Sequence, residues 1–347
     1  MSTAPAPADG LAGLRIGLLT ASASRLGGGV FEAVVAQAAL IAAHGGTAPV
    51  FALADAFSTE DAGRFPTGSV THYPVRGPRV FGFAPGLVGA LIAADLDCLH
   101  LHGIWMYPSH AGAVWAARTG RAYAISPHGM LSGWITARGR IRKLAARTGY
   151  EHRGWRRARL FHALTDTEAA DIARESGHRD IRIIPNPAPP SSIAAPARAS
   201  PRPPRFVYLG RIHAKKNLDA LLAGWALCRN EVVRAGARLV IAGWGDEREV
   251  AALQAAIAPL GECAGFIGPV HGVEKARLLG GARFVILPSL SEGLPMTILE
   301  AWAAGTPALI SDACHLDAGI AAGAAIRCGT SADAIAEISS GAAPISL

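Results

Sequence analysis

At 347 residues the chain exceeds what one ordinary domain holds, so two domains are expected. Half of it is apolar, yet no run of eighteen or more residues is free of charge and turn residues, which excludes a membrane-spanning helix. A net charge of +7 calls for an anionic partner, whether nucleic acid, a membrane surface or a small ligand. The five cysteines, odd in number and without metal-ligand spacing, read as reduced thiols of a cytoplasmic protein.

The opening segment 1–13 is Pro/Ala-rich, lacks a basic region followed by an apolar core, and reads as a disordered tail rather than a signal peptide. Strands are then expected at 14–20, 48–53, 96–102, 121–126, 158–165 and 181–185, alternating with helical patterns as in a parallel α/β sheet. After the first strand, Gly27, Gly28 and Gly29 make a bend into a helix beginning near Val30. Glycine amides and a helix amino end suit an oxyanion, although a plain tight turn explains the bend equally well. The dinucleotide fingerprint fails here, because Glu32 stands where a third glycine is required.

The triplet Asp95-Leu96-Asp97 precedes its strand and therefore lies at the amino edge, away from ligands, so no metal site is expected from it. His100 and His102 share one strand face; His102, just before Gly103, is placed to line an acceptor side. From Arg138 to Arg159, nine residues are Lys or Arg and only Glu151 is acidic. A solvated helix face is the bland alternative. Arg142, Lys143 and Arg147 nevertheless share a helical face opposite Ile141, Leu144 and Ala145, and Trp134 and Trp155 flank the run. That pattern favours contact with an anionic lipid surface or anionic acceptor. No nucleic-acid motif accompanies it, so nucleic acid is not expected as a partner. Thr165 and Glu168 form a capping box for the next helix.

Eight prolines between Pro185 and Pro204 mark a linker, taken as 187–204, between a domain at 14–186 and one at 205–347. Strands follow at 205–210, 237–243, 263–268, 282–288 and 306–311, with helices from about Asn217, Asp246, Val273 and Pro295. Two Rossmann-like domains facing across a cleft are the simplest arrangement, with ligands at the carboxyl ends of the strands. Arg211 and Lys216 stand in the first strand-to-helix loop of the second domain, where a forked and a point cation suit a diphosphate. Lys215 beside them reads as an ordinary surface lysine. The turn in IAGWGDE, with Gly243, repeats the arrangement and borders a nucleotide.

In LPSLSEGLPMTILEAWAAGTPALI, Glu292 and Glu300 are the only charged residues, with no lysine or arginine in the stretch to pair them. Either both reach solvent, or something outside the chain supplies donors. Ionised carboxylates only accept hydrogen bonds, which suits sugar hydroxyls.

Gly-Arg followed five residues later by Lys216, then Glu292 and Glu300 in EGLPMTILEAWAAGTP, resembles the family 4 glycosyltransferases. The similarity takes in the glycine-rich first turn, SPHGML at 126–131 and IPNP at 184–187. The resemblance implies a retaining, metal-independent enzyme of GT-B fold without cofactor, its donor a nucleotide diphosphate sugar. By that resemblance Arg211 and Lys216 bind the donor diphosphate, Glu292 holds sugar hydroxyls, Glu300 the ribose, and Gly28 and Gly29 a phosphate. His128 lies beside the reacting sugar; Gly243, Gly293 and Leu294 complete the donor contacts. The acceptor is expected to be a saccharide or lipid-linked saccharide, in polysaccharide or glycolipid synthesis, with the enzyme cytoplasmic and peripheral to the inner face of the membrane. No side chain is an evident nucleophile, so front-face attack is expected. The rival readings are a sugar-nucleotide epimerase, an inactive or lectin-like sugar-nucleotide binder and, weakest, a nicotinamide dehydrogenase. The carboxyl end departs from the pattern. Family members continue with helices that cross back, whereas the last residues are Gly/Ser/Ala/Pro-rich, do not read as such a helix, and leave the fold apparently shortened and activity in question.

Overall fold

In a computed structural model of the chain, which describes residues 10–66, 68–186 and 204–342, the backbone divides into two compact units, Met1–Pro187 and Ala188–Leu347. Most of the expected tail and linker lies outside the described residues.

The first unit is built on seven parallel strands: β1 (Ile16–Thr20), β2 (Val50–Leu53), β3 (Val70–Tyr73), β4 (Cys98–His102), β5 (Ala122–Ser126), β6 (Leu160–Ala163) and β7 (Ile181–Ile183). Their spatial order is β3-β2-β1-β4-β5-β6-β7. The second unit has six: β8 (Arg205–Leu209), β9 (Arg238–Ala242), β10 (Ala264–Phe266), β11 (Phe284–Leu287), β12 (Ala308–Ile310) and β13 (Ala325–Arg327), in the order β10-β9-β8-β11-β12-β13. All registered pairs are parallel, so within each unit the carboxyl ends share one edge. The order reverses between β1 and β4, and again between β8 and β11; in open parallel sheets ligands bind outside the carboxyl ends of the strands at such points.

Both faces of a parallel sheet are covered, which explains the near-continuous apolar strands. In β1, Leu19 joins one core with Phe51, Leu101, Trp115 and Phe161, while Leu18 joins another with Phe31, Val34 and Val50. The second unit has a large core around Phe206, Trp225, Ile286 and Leu309. Each such side chain, fully buried, contributes roughly 1.5–3 kcal/mol.

Several details differ from the sequence reading. The strands β3 and β13 escape it, since each is a short edge strand, β3 between Pro66 and Pro74 and β13 between Gly323 and Gly329. The basic run is not one amphipathic helix. It comprises short helices at Arg140–Ala146 and His152–Arg157, interrupted by a π-turn at Arg147–Glu151. Trp155 is 1% exposed and belongs to the core, so it cannot flank a surface. Trp134 is half-buried with the Arg138 guanidinium 3.5 Å above its ring. Lys143 donates to the carbonyls of Ile135 and Arg138. Ile141 and Leu144 do face solvent.

The carboxyl-terminal segment is a further correction. Residues Ala332–Ala342 are helical and pack along the helix Leu218–Leu227, with Ile335 fully buried. A Cβ on Gly224 would meet Ala332 O at 2.7 Å, so this glycine permits the close approach. Its small residues had disguised the helix: alanine is the strongest helix former, and serine and glycine are tolerated where two backbones come near.

Candidate active site

In the second unit the chemistry collects on the carboxyl edge. The loop after β8 runs from Gly210 to a short 3-10 turn at Ala214–Lys216 and ends on Asn217 (φ 60), which leads into the helix Leu218–Leu227. His213 Nδ1 accepts from Lys215 N at 3.2 Å, tightening the turn. The loop after β11 carries Ser289 and Glu292, and Pro295 is the N-cap, rather than the first residue, of the helix Met296–Ala303. Leu290 N donates to Lys215 O at 2.8 Å, tying the two loops together.

Lys216 Nζ donates to Glu292 Oε1, and Ser289 Oγ donates to the same oxygen at 2.6 Å. Glu292 is 8% exposed. Burial alone would raise its carboxyl, but the Lys216 and Lys215 charges and the two hydrogen bonds hold it below its ordinary value. Glu300 receives Lys275 Nζ at 2.8 Å. The expectation that both carboxylates depend on solvent or an outside ligand is therefore overturned. Their partners come from within the chain, 76 and 25 residues away.

Lys215 is also corrected: it is half-buried, and burial followed by the adjacent Lys216 charge pulls it below its ordinary value. Together Lys215 and Lys216 give this loop two cations against one carboxylate. Arg211 is exposed, its guanidinium 5.3 Å from the Trp244 ring. It shares the edge with Lys216 but does not bond Glu292. Gly243 is buried at φ 147, and a Cβ there would lie 1.8 Å from Gly210 O. Its need for glycine is thus set by the neighbouring loop as well as by any ligand. Gly293 and Leu294 are half-buried in the Glu292 loop.

In the first unit, Gly28 (φ 55) is the N-cap of the helix Gly29–Ala43. The loop before it is held by carboxylates: Ser22 and Ser24 each donate to Asp55 Oδ2 at 2.8 Å, and Arg25 Nη2 lies 2.7 Å from Asp61 Oδ1. Glu32 is paired with Arg64 at 2.7 Å. Asp95 and Asp97 serve structure, facing Arg121 at 2.7 Å and Arg15 N at 2.8 Å.

His128 follows β5 at φ 53, and its Nε2 is 2.9 Å from His102 Nδ1. Burial and the nearby His162 pull His128 down to about 3, so it is neutral at physiological pH. Glu168 does only part of the expected capping: Thr165 Oγ1 accepts from Glu168 N at 3.1 Å, but the carboxylate takes Leu164 N at 2.8 Å and Gly129 N at 2.6 Å. Glu168 thereby anchors the turn that carries His128. Sequence reasoning missed this role and that of Lys275, because each depends on a contact between distant segments, and that of Ser289, because it depends on the fold of the loop it shares with Glu292.

Residues 28–187 match the model of a glycosyl transferase 4-like domain, and residues 203–340 that of glycosyl transferases group 1. Over 117 residues the chain is 38% identical to a GDP-mannose-dependent alpha-(1-6)-phosphatidylinositol dimannoside mannosyltransferase of Mycobacterium tuberculosis. That match covers 33% of this chain and spans 28% of the relative's length. A glycogen synthase of the same organism is 33% identical over 110 residues, covering 32% of this chain and 26% of the relative. Among solved structures, Anabaena HepE in complex with UDP and glucose aligns with a TM-score of 0.72 at 18% identity, over 94% of this chain and 89% of that one. Sucrose-phosphate synthase from Thermosynechococcus elongatus aligns with a TM-score of 0.70 at 18% identity, over 93% and 88%. At such identities these likenesses concern the fold, which is GT-B. The two sheets, each reversing its strand order at the edge that bears these loops, and the two family matches together lead to one conclusion: the chain belongs to the 4-like, group 1 family of glycosyl transferases.

Proposed function

We propose that the protein is a retaining glycosyltransferase that moves a hexose from a nucleotide diphosphate sugar to a saccharide or lipid-linked acceptor. The observation that carries the reading is the buried Lys216–Glu292–Ser289 group, with Lys215 behind it and Arg211 on the same edge. The donor is supported by what its relatives' names state: GDP-mannose for the mycobacterial mannosyltransferase, and UDP with glucose in HepE. On this reading residues 205–347 bind the donor and residues 14–186 the acceptor.

As the bond from the anomeric carbon to the leaving phosphate breaks, negative charge builds on the phosphate. Arg211 and Lys216 stabilise that charge in the role a metal ion fills elsewhere. Lys216 is divided between Glu292 and the diphosphate, so the carboxylate both orients the ammonium and stays ionised to accept from sugar hydroxyls. Glu300, aligned by Lys275, takes the ribose, while Gly243, Gly293 and Leu294 line the nucleotide. Gly28 and Gly29 offer amides to a phosphate. His128 contacts the reacting sugar. The acceptor hydroxyl attacks the face the phosphate leaves, gives its proton to that phosphate, and preserves the anomeric configuration.

A peripheral position on an anionic, inner membrane face is supported by Ile141 and Leu144, 86% and 61% exposed, among Arg138, Arg140 and Arg142. None of these arginines meets a carboxylate among the described residues. The enzyme would then act in cell-surface polysaccharide or glycolipid synthesis.

Thermal-shift screening of nucleotide sugars identifies the donor, because a tight ligand raises apparent stability by mass action. Turnover is then measured for Arg211→Ala and Glu292→Gln; each is expected to lose on the order of a hundredfold or more in kcat. Full activity in either variant removes that residue's role.

A further inference from the structure

Four histidines of the first unit gather at the carboxyl edge of its sheet: His100 and His102 on β4, His128 after β5, and His162 on β6. The rings of His100 and His102 are 4.2 Å apart, those of His102 and His128 5.2 Å, and those of His100 and His162 5.6 Å. Among the described residues no group of three or more His, Cys, Asp or Glu is arranged to hold a metal ion. The cluster instead forms two hydrogen-bonded lines whose proton positions can be worked out.

In the first line one end is fixed. The Ile184 carbonyl can only accept, so His162 Nε2, 2.7 Å away, carries the proton. A neutral His162 then accepts at Nδ1 from Ser126 Oγ, 2.8 Å away. The Ser126 oxygen in turn accepts from His100 Nε2–H at 2.7 Å, and His100 Nδ1 accepts from Gln37 Nε2 at 2.9 Å. Every donor in this line points one way. Burial and neighbouring imidazoles hold His100 down to about 3, and burial lowers His162, in keeping with neutral rings.

The second line joins His102 Nδ1 to His128 Nε2 at 2.9 Å. Its other end is His102 Nε2, which is buried without a hydrogen-bond partner among the described residues, on a residue 3% exposed. A buried N–H without an acceptor is rarer and more costly than a bare lone pair. The His102 proton therefore belongs on Nδ1, pointing at His128 Nε2. His128 must then hold its own proton on Nδ1, and it makes no other ring hydrogen bond among the described residues. The turn is fixed by Glu168 through Gly129 N, and by Met130 N on Pro127 O at 3.2 Å.

We infer that His102 is a positioning residue: by donating from Nδ1 to His128 Nε2 it sets His128 as the Nδ1–H tautomer, so that His128 meets an oxygen of the bound nucleotide sugar as a hydrogen-bond donor and not as a base. The identity of that ligand rests on the glycosyltransferase reading; the tautomer does not. The groups facing the pair are His100 and His162 from the neighbouring strand positions and Glu168 beneath the turn.

The test uses the full chain labelled with 15N-histidine, as wild type, His102→Asn and His102→Leu. Asparagine places an amide donor near the position of imidazole Nδ1, and leucine removes it. In long-range 1H–15N spectra, wild type and the Asn variant are expected to show His128 protonated on Nδ1 from about pH 6 to about pH 9. The Leu variant is expected to show a mixture of the two neutral tautomers of His128, while His100 and His162 keep their wild-type signals as a control of the fold. With a donor identified, kcat/KM should fall about tenfold in the Leu variant and recover to within about threefold of wild type in the Asn variant. His128 protonated on Nε2 in wild type, or equal behaviour of the two variants, overturns the inference. The expected tautomer with no nucleotide sugar bound or turned over upholds the positioning role and overturns the glycosyltransferase reading.

Discussion

Glu151 is 2% exposed, sits in the π-turn of the basic run, and accepts from Trp105 N at 2.5 Å. Burial pushes its carboxyl up to about 7, against the opposing effect of that hydrogen bond. The rise from the ordinary 4.5 to about 7, at ~1.36 kcal/mol for each pH unit, is worth about 3 kcal/mol. The sign follows from proton counting. Between these two values the folded protein binds more protons than the unfolded chain, so this contribution is complete below about pH 4.5 and lost as pH rises through 7. Glu151→Gln keeps an acceptor for Trp105 N and removes the titration. Urea unfolding of variant and wild type, followed by tryptophan fluorescence at about pH 5 and about pH 8.5, isolates the effect, because other titrations cancel in the difference. The variant's stability relative to wild type should improve by up to about 3 kcal/mol from the acid to the alkaline condition. A difference that stays constant with pH refutes the reasoning.

Two other outcomes are expected. Gly243→Ala must move the Gly210 backbone, since its Cβ would lie 1.8 Å from Gly210 O. A stability loss of about 1–3 kcal/mol together with weaker nucleotide binding should appear in urea unfolding and calorimetry; a wild-type midpoint counts against the close approach. Ile141→Ser with Leu144→Ser should leave the melting temperature unchanged, because both residues face solvent. The same variant should sediment less with vesicles containing phosphatidylglycerol, and equal sedimentation removes the membrane proposal.

Much of the fold is legible because parallel strands buried on both faces are apolar runs that punctuation delimits, as in FVIL and RFVYL. The edge strand Val70–Tyr73 is not, since its half-exposed residues lack that signature. The site shows the same division. Arg211, Lys216, Glu292 and Glu300 can be picked out because charges are rare at the ends of apolar strands. Their pairing cannot be, because Lys216 and Glu292 meet only after β8 and β11 become neighbours, with Phe284 opposite Phe206. The absence of a cation near Glu292 in sequence carried no information about its absence in space. The place of Trp155 is illegible for a related reason: tryptophan in a basic run suits both a membrane interface and a core, and only the packing against Trp105, ring centroids 5.9 Å apart, decides between them.

The side chain of Asn217 has a consequence beyond its own turn. Its amide donates to Pro288 O at 3.1 Å and to Thr330 O at 2.8 Å, so one residue joins the lysine loop, the exit of β11 and the approach to the last described helix. The approach to the closing helix is thereby linked by hydrogen bonds to the loop that carries Lys216. Changes remote in sequence, made only to the closing helix, should register as altered ligand affinity before they register as unfolding.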